Sequence, residues 1–192
     1  MNRFVRTLAC FVGFAFASQA TVLTFLGDLA PEVAGSIGSG SAIVTYDSIL
    51  HTLHIEADWV DLTGTTTVAH IHCCVDPPGT VGVAVTPGTL PGFPTGVTAG
   101  SYTTVPAIDM TSAGSYTANF VNNFGGGTVA GAEAAFVQGL LDGRAYLNIH
   151  SSFAGGGEIR DFLQVVPEPG TYALFAAGFA ALAGYRLRKR LS

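Results

Sequence analysis

Val68-Ala69-His70-Ile71-His72-Cys73 and Ala145-Tyr146-Leu147-Asn148-Ile149-His150 are the stretches on which the fold turns. Both alternate with a period of two, the signature of strands with two different faces. In the first, Ala69, Ile71 and Cys73 share one face, and Val68, His70 and His72 the other. In the second, Ala145, Leu147 and Ile149 point one way, and Tyr146, Asn148 and His150 the other. Working outward, Leu53 to Trp59 alternates in the same manner, and Glu158 to Leu163 follows the Gly155-Gly156-Gly157 turn as a partner strand. Further strands are expected at Val22–Leu26, Ser41–Tyr46, Gly82–Thr86 and Ser115–Val121. Asp76-Pro77-Pro78-Gly79, Pro87-Gly88 and Gly125-Gly126-Gly127 supply turns between them. Ala130 to Leu141 breaks the pattern, with Ala134, Val137, Leu140 and Leu141 at helical spacing and a stop at Gly143. A mainly β chain follows, an antiparallel β-sandwich with one short helix as a crossover.

The two ends read differently. Arg3 and Arg6 precede an apolar run from Leu8 to Ala17, and Ser18-Gln19-Ala20 has the small-x-small pattern of a cleavage site. That run is about ten residues, where a span needs roughly 20, so residues 1–20 read as a secretory signal peptide cut after Ala20. At the other end, Pro167-Glu168-Pro169 precedes a hydrophobic helix over 171–187 and the basic cluster Arg186, Arg188, Lys189 and Arg190. The positive-inside bias places that cluster in the cytoplasm. Alanine and glycine make the helix weakly held, suited to transient membrane insertion. Residues 167–192 resemble a PEP-CTERM sorting signal, the tripartite tail that exosortases recognise in Gram-negative bacteria. The resemblance implies export through the inner membrane, a membrane-anchored stage, and release to the cell surface or extracellular matrix after processing. Signal peptidase and exosortase are the partners implied.

Between the ends, residues 21–166 are long enough for one domain with a real core. They carry two arginines, Arg144 and Arg160, against twelve carboxylates, a net charge of −10. Nucleic acid is therefore excluded as a partner, since it demands Lys/Arg patches. Cations are better candidates. Of the three cysteines, Cys10 leaves with the signal, which leaves the adjacent pair Cys73-Cys74 in an oxidising compartment.

Ala69-His70-Ile71-His72, Gly143-Arg144-Ala145-Tyr146-Leu147-Asn148-Ile149-His150-Ser151 and Gly157-Glu158-Ile159-Arg160 resemble the hallmark strands of the CHRD (chordin-type) domain. Leu29-Ala30-Pro31-Glu32-Val33, with Gly38 and Gly40, is similar to that family's opening segment. The resemblance covers residues 22–164. It departs at Asp161, where the family has a small residue, and at Cys73-Cys74, where it more often turns through glycine. The sandwich is expected to be of Greek-key, immunoglobulin-like or superoxide-dismutase-like type.

Residues i and i+2 on a strand leave the same face roughly 6–7 Å apart, so His70 and His72 suit two ligands of one transition metal. His150 ends a strand of the same polar phase. One reading places Cu or Zn on His70, His72 and His150, with Cys73, Cys74 or Glu158 nearby. The other makes the histidines hydrogen-bond across strands, with Asn148, Glu158 and Arg160 forming a structural network. Cys73-Cys74 reads as a reducible vicinal disulfide, as two soft ligands, or as two small apolar side chains. Glu158 and Arg160 share a strand face, where a salt bridge to each other or across the strands is expected. No Gly-x-Ser-x-Gly, Gly-x-Gly-x-x-Gly, P-loop or His-Glu-x-x-His motif occurs, so an enzyme is not expected. The sequence points to a secreted, surface-displayed structural or binding module, with the extracellular polysaccharide matrix as a candidate partner. The alternative is a metal-binding or redox-responsive protein built on His-x-His-Cys-Cys.

Overall fold

The computed structural model describes residues 22–166, together with Gly178 and Arg186, which are helical and exposed. The signal expected over 1–20, with Ala20, lies outside the described residues. So does the tail expected over 167–192, those two residues apart, with its helix over 171–187 and with Pro167, Glu168, Pro169, Arg188, Lys189 and Arg190. Among the described residues, no helix is long and apolar enough to cross a membrane.

Two antiparallel sheets form the body. The first contains β1 (Val22–Gly27), β3 (Ser39–Asp47), β4 (Thr52–Val60), β7 (Gly100–Thr103) and β11 (Gln164–Val165), in the order β11-β1-β3-β4-β7, with β8 (Ile108–Asp109) also paired to β4. The second contains β2 (Ala30–Pro31), β5 (Thr66–Cys73), β6 (Val83–Val85), β9 (Ala145–Ser151) and β10 (Ile159–Phe162), in the order β2-β10-β9-β5-β6. The expected sandwich class is the one observed. Its longest ladder, β3 against β4, runs from Ser39↔Val60 to Asp47↔Thr52. Alternation sets its faces: Ala42, Val44 and Tyr46 pack inward with Leu53, Ile55, Ala57 and Trp59, while Glu56 and Asp58 remain in solvent. Ala69, Ile71, Leu147, Ile149 and Ile159 from the second sheet complete the core. A buried aliphatic or aromatic side chain stabilises by about 1.5–3 kcal/mol, so one-residue slippage of any of these strands is strongly disfavoured.

The expected strand at Ser115–Val121 is not formed. A 3-10 turn, Ala113–Ser115, leads instead into helix α1 (Ala118–Asn123). Tyr116, Ala118 and Phe120 imitate a strand by alternation, but Thr117 caps a helix, its hydroxyl accepting from the Phe120 N–H at 3.2 Å. Phe120 and Phe124, one turn apart, then stack at 5.1 Å. Residues 22–166 therefore hold two α-helices where one was expected. The longer, α2 (Val129–Leu141), lies where the apolar spacing placed it.

α2 packs on the second sheet through a bare backbone. Cys73 and Cys74 are joined by a disulfide whose two sulfurs rest against Gly139, and a Cβ at Gly139 would fall well inside contact distance of both. Alanine is the better helix former by about 1 kcal/mol. Overpacking a rigid core costs about 1–3 kcal/mol, and here the obstacle is a covalent ring with no rotamer to change. Gly139→Ala is expected to destabilise by about 2 kcal/mol net, read as a lower urea midpoint at unchanged slope.

Candidate metal centre

β9 is buried along its whole length, on both faces. An ordinary sandwich strand leaves alternate residues in water. Here the outward residues are met by other chain: Tyr146 by Val81, Asn148 by Glu32 and the Gly156 carbonyl, and His150 by the Gly155 carbonyl. The register of β9 on β5 pairs His72 with Tyr146 and His70 with Asn148, and His150 stands on the same face two residues on. The three imidazoles therefore converge. Their ligand atoms lie within 4.8 Å of one another, and each residue is only 8% exposed.

The covering loops fix which ring nitrogen faces which way. His70 Nε2 lies 3.0 Å from the Gly88 carbonyl, His72 Nδ1 2.8 Å from that of Val81, and His150 Nδ1 2.9 Å from that of Gly155. A carbonyl only accepts, so these nitrogens carry the protons. In neutral rings the lone pairs then belong to His70 Nδ1, His72 Nε2 and His150 Nε2, and one nitrogen from each ring lies within 4.8 Å of the others. His70 Nδ1 and His150 Nε2 are 3.3 Å apart. With both protons facing carbonyls, that approach sets lone pair against lone pair. His72 Nε2 is buried and has no hydrogen-bond partner. Protonation is poorly placed to relieve the repulsion. Burial lowers the His72 pKa to about 4 against the opposing effect of the Val81 bond, with His70, His150 and Arg160 adding like-charge repulsion. Burial likewise lowers His70, outweighing its Gly88 bond.

A cation between the rings would satisfy these atoms, the His70–His150 pair as it stands and His72 by a small shift. Two imidazoles on one tetrahedral metal, at bonds of about 2.0–2.1 Å, stand about 3.3–3.4 Å apart, which matches the His70–His150 spacing. Backbone carbonyls holding the distal N–H groups are the usual outer partners of metal-binding histidines.

The surroundings hold this arrangement in place. Tyr146 stacks flat on His72, with centroids 4.7 Å apart and planes 1° from parallel. Its hydroxyl donates to the Val81 carbonyl at 3.2 Å and accepts from the Val81 N–H at 3.3 Å. The Arg160 guanidinium lies 4.8 Å above the Tyr146 ring, and it donates to the Gly79 and Pro78 carbonyls. Glu32 pairs with Arg160 at 3.3 Å and accepts from Asn148 Nδ2 at 3.0 Å. Arg160 thus holds the loop that presents the Val81 carbonyl.

The remaining candidates are placed elsewhere. Cys73 points to the core and Cys74 toward α2, and their disulfide keeps both sulfurs from the histidines. Glu158 does not pair with Arg160. It is fully buried and accepts from Ser36, Thr63, Gly64 and Ser151 at the other end of β10. The network of Asn148 and Arg160 closes through Glu32, whose only sequence signal was its place in the opening segment. The three carbonyls at Val81, Gly88 and Gly155 had no signal beyond Gly/Pro turn chemistry. His54 and Glu56, 3.2 Å apart, are on the first sheet and largely in solvent. Trp59 is 1% exposed and offers no platform for a glycan. A separate cluster went unanticipated: Glu133 Oε1 accepts from Tyr46 at 2.7 Å and lies 2.8 Å from His51 Nδ1, tying α2 to the β3–β4 hairpin.

Residues 21–163 match the family model described as CHRD domain. The chain belongs to the CHRD domain family. It is not a known family of enzymes. Residues 165–190 match the PEP-CTERM protein-sorting motif. No curated protein and no solved structure matches the chain. A CHRD domain followed by this motif is an exosortase-sorted extracellular module, exported to the surface or exterior of a Gram-negative cell. The three histidines, Asn148, Glu158 and Arg160 all fall within the CHRD match, and the basic cluster within the sorting motif.

Proposed function

We propose that this exported CHRD domain binds a transition-metal ion, Cu or Zn, through His70 Nδ1, His72 Nε2 and His150 Nε2. One observation carries the reading: three buried imidazoles bring ring nitrogens within 4.8 Å of one another, and each ring also places a nitrogen at hydrogen-bond distance from a backbone carbonyl. A purely structural role, with His70 and His150 hydrogen-bonded across the strands at 3.3 Å, leaves His72 Nε2 buried and without a partner, which a bound ion would supply. The acidic surface of the domain, net −10 over residues 21–166, concentrates cations around it. Association with an acidic or neutral matrix polymer is compatible with this function, the ion then serving outside the cell.

Elemental analysis of the exported protein purified from culture tests the reading. About one equivalent of Cu or Zn per chain is expected. His72→Ala is expected to lower metal content at least about tenfold while the far-UV dichroism stays that of a β protein, because the lost ring lies outside the inter-sheet core. Metal content equal in wild type and His72→Ala would sink the proposal.

A further inference from the structure

We infer that the centre selects monovalent copper, Cu(I), over divalent ions; this rests on the metal-binding reading and assigns its ion. The donor set is uncharged. Among the described residues the metal-ligating cluster contains three histidines and no carboxylate or thiolate. The nearby anions are occupied: Glu32 is held by Arg160 and Asn148, and Glu158 by four donors of its own. The sulfurs of Cys73 and Cys74 are bonded to each other on the opposite side of β5. An ion in this site therefore keeps its whole charge.

That charge is nearly shut off from water, since each histidine is 8% exposed. The cost of burying an ion rises with the square of its charge, so it is about fourfold greater for a divalent ion than for a monovalent one of similar size. A cation stands one stacked ring away from His72. Arg160 stacks on Tyr146, which stacks on His72, and its pairing with Glu32 leaves that side near neutral rather than negative.

Coordination number points the same way. Structural zinc takes four ligands, usually with thiolate or carboxylate among them. With three imidazoles it must draw a water or hydroxide into a crowded space beneath the loops. Imidazole suits copper and zinc alike, so it is coordination number that separates them: Cu(I) is complete with three imidazoles and needs no added anion.

The test is an anaerobic titration of the full exported protein, stripped of metal. Cu(I) is delivered against a chromogenic Cu(I) chelator, and Zn(II) against a chromogenic zinc chelator. One Cu(I) per chain is expected, bound roughly 10³-fold more tightly than Zn(II). Zn(II) bound as tightly as Cu(I) overturns the selectivity and leaves the metal centre standing. Binding of neither ion overturns both. Arg160→Gln gives an independent arm, because it keeps an amide donor for the loop carbonyls and releases the charge of Glu32. The Cu(I)/Zn(II) ratio of constants is expected to fall about tenfold, and an unchanged ratio overturns the electrostatic basis.

Discussion

Glu158→Ala is expected to destabilise the domain by about 4 kcal/mol, read as a urea midpoint lowered at constant slope. Glu158 is fully buried, yet among the described residues no arginine or histidine pairs with its carboxylate. Four neutral donors solvate it instead: the Ser36 hydroxyl at 2.9 Å and the Thr63 N–H at 2.6 Å on Oε1, and the Gly64 N–H at 3.2 Å and the Ser151 hydroxyl on Oε2. The loop after β2, the β4–β5 connection and the end of β9 thus meet on one side chain. Alanine would strand the buried Gly64 N–H and the part-buried Thr63 N–H, at about 1–3 kcal/mol for a fully buried group, and would leave a cavity besides. Against a total of about 5–15 kcal/mol, that is a large fraction. A drop below about 1 kcal/mol would mean that water replaces the carboxylate, and that Glu158 does not hold these segments.

The same carboxylate gives the loss a pH dependence. Burial alone would raise its pKa, but hydrogen bonds from Ser151, Thr63, Ser36 and Gly64 outweigh it and hold the group below its ordinary 4.5. A carboxyl depressed in the folded state stabilises fully above its unfolded pKa. The contribution fades as pH falls below that value and through the folded one. Wild-type stability should therefore decline below about pH 4.5, and Glu158→Gln should show a flatter acid limb from a lower starting value.

How much of this was legible in the chain depends on how local the signal was. The alternation in Leu53 to Trp59 and in Ala145 to His150 fixed both strands and their inward faces, because one buried face forces period two on the residues that line it. The same rule misread Ser115–Val121, where a threonine cap and an aromatic pair one turn apart outweigh alternation. His70 and His72 were legible as a pair, and His150 as a candidate third, since strand phase alone puts all three on outer faces. Their convergence was not, because it depends on the register of β9 on β5. The separation of Cys73 from the ring cluster was legible in its phase, opposite to that of His72, while that of Cys74 follows only from the disulfide. Least legible were the three carbonyls that orient the rings and the link of Arg160 to Glu32. Backbone acceptors carry no residue signature, and Glu32 is distant in sequence from the strand it serves.

Metal loading is expected to raise the melting temperature by about 10–15 °C, and the reason lies in what the ion would join. Each ligand ring is hydrogen-bonded to a different covering segment, through Val81, Gly88 and Gly155. Without an ion, the two closest lone pairs repel across 3.3 Å, and relaxing them means moving a ring off its carbonyl. An ion turns that repulsion into three bonds and so fixes the loops as well as the rings. At free metal about a thousandfold above the dissociation constant, linkage alone stabilises by about 4 kcal/mol. For a domain of this length about 1 kcal/mol moves the midpoint by about 2–4 °C, which gives the stated shift. Amide exchange should slow in residues 79–82, 86–89 and 154–157 and remain unchanged at Ile55 and Val44, whose ladder lies in the other sheet. His150→Ala should abolish both responses to added metal. A melting shift without the three-loop protection pattern would place the ion elsewhere on this acidic domain, so the exchange map, more than the midpoint, decides where it binds.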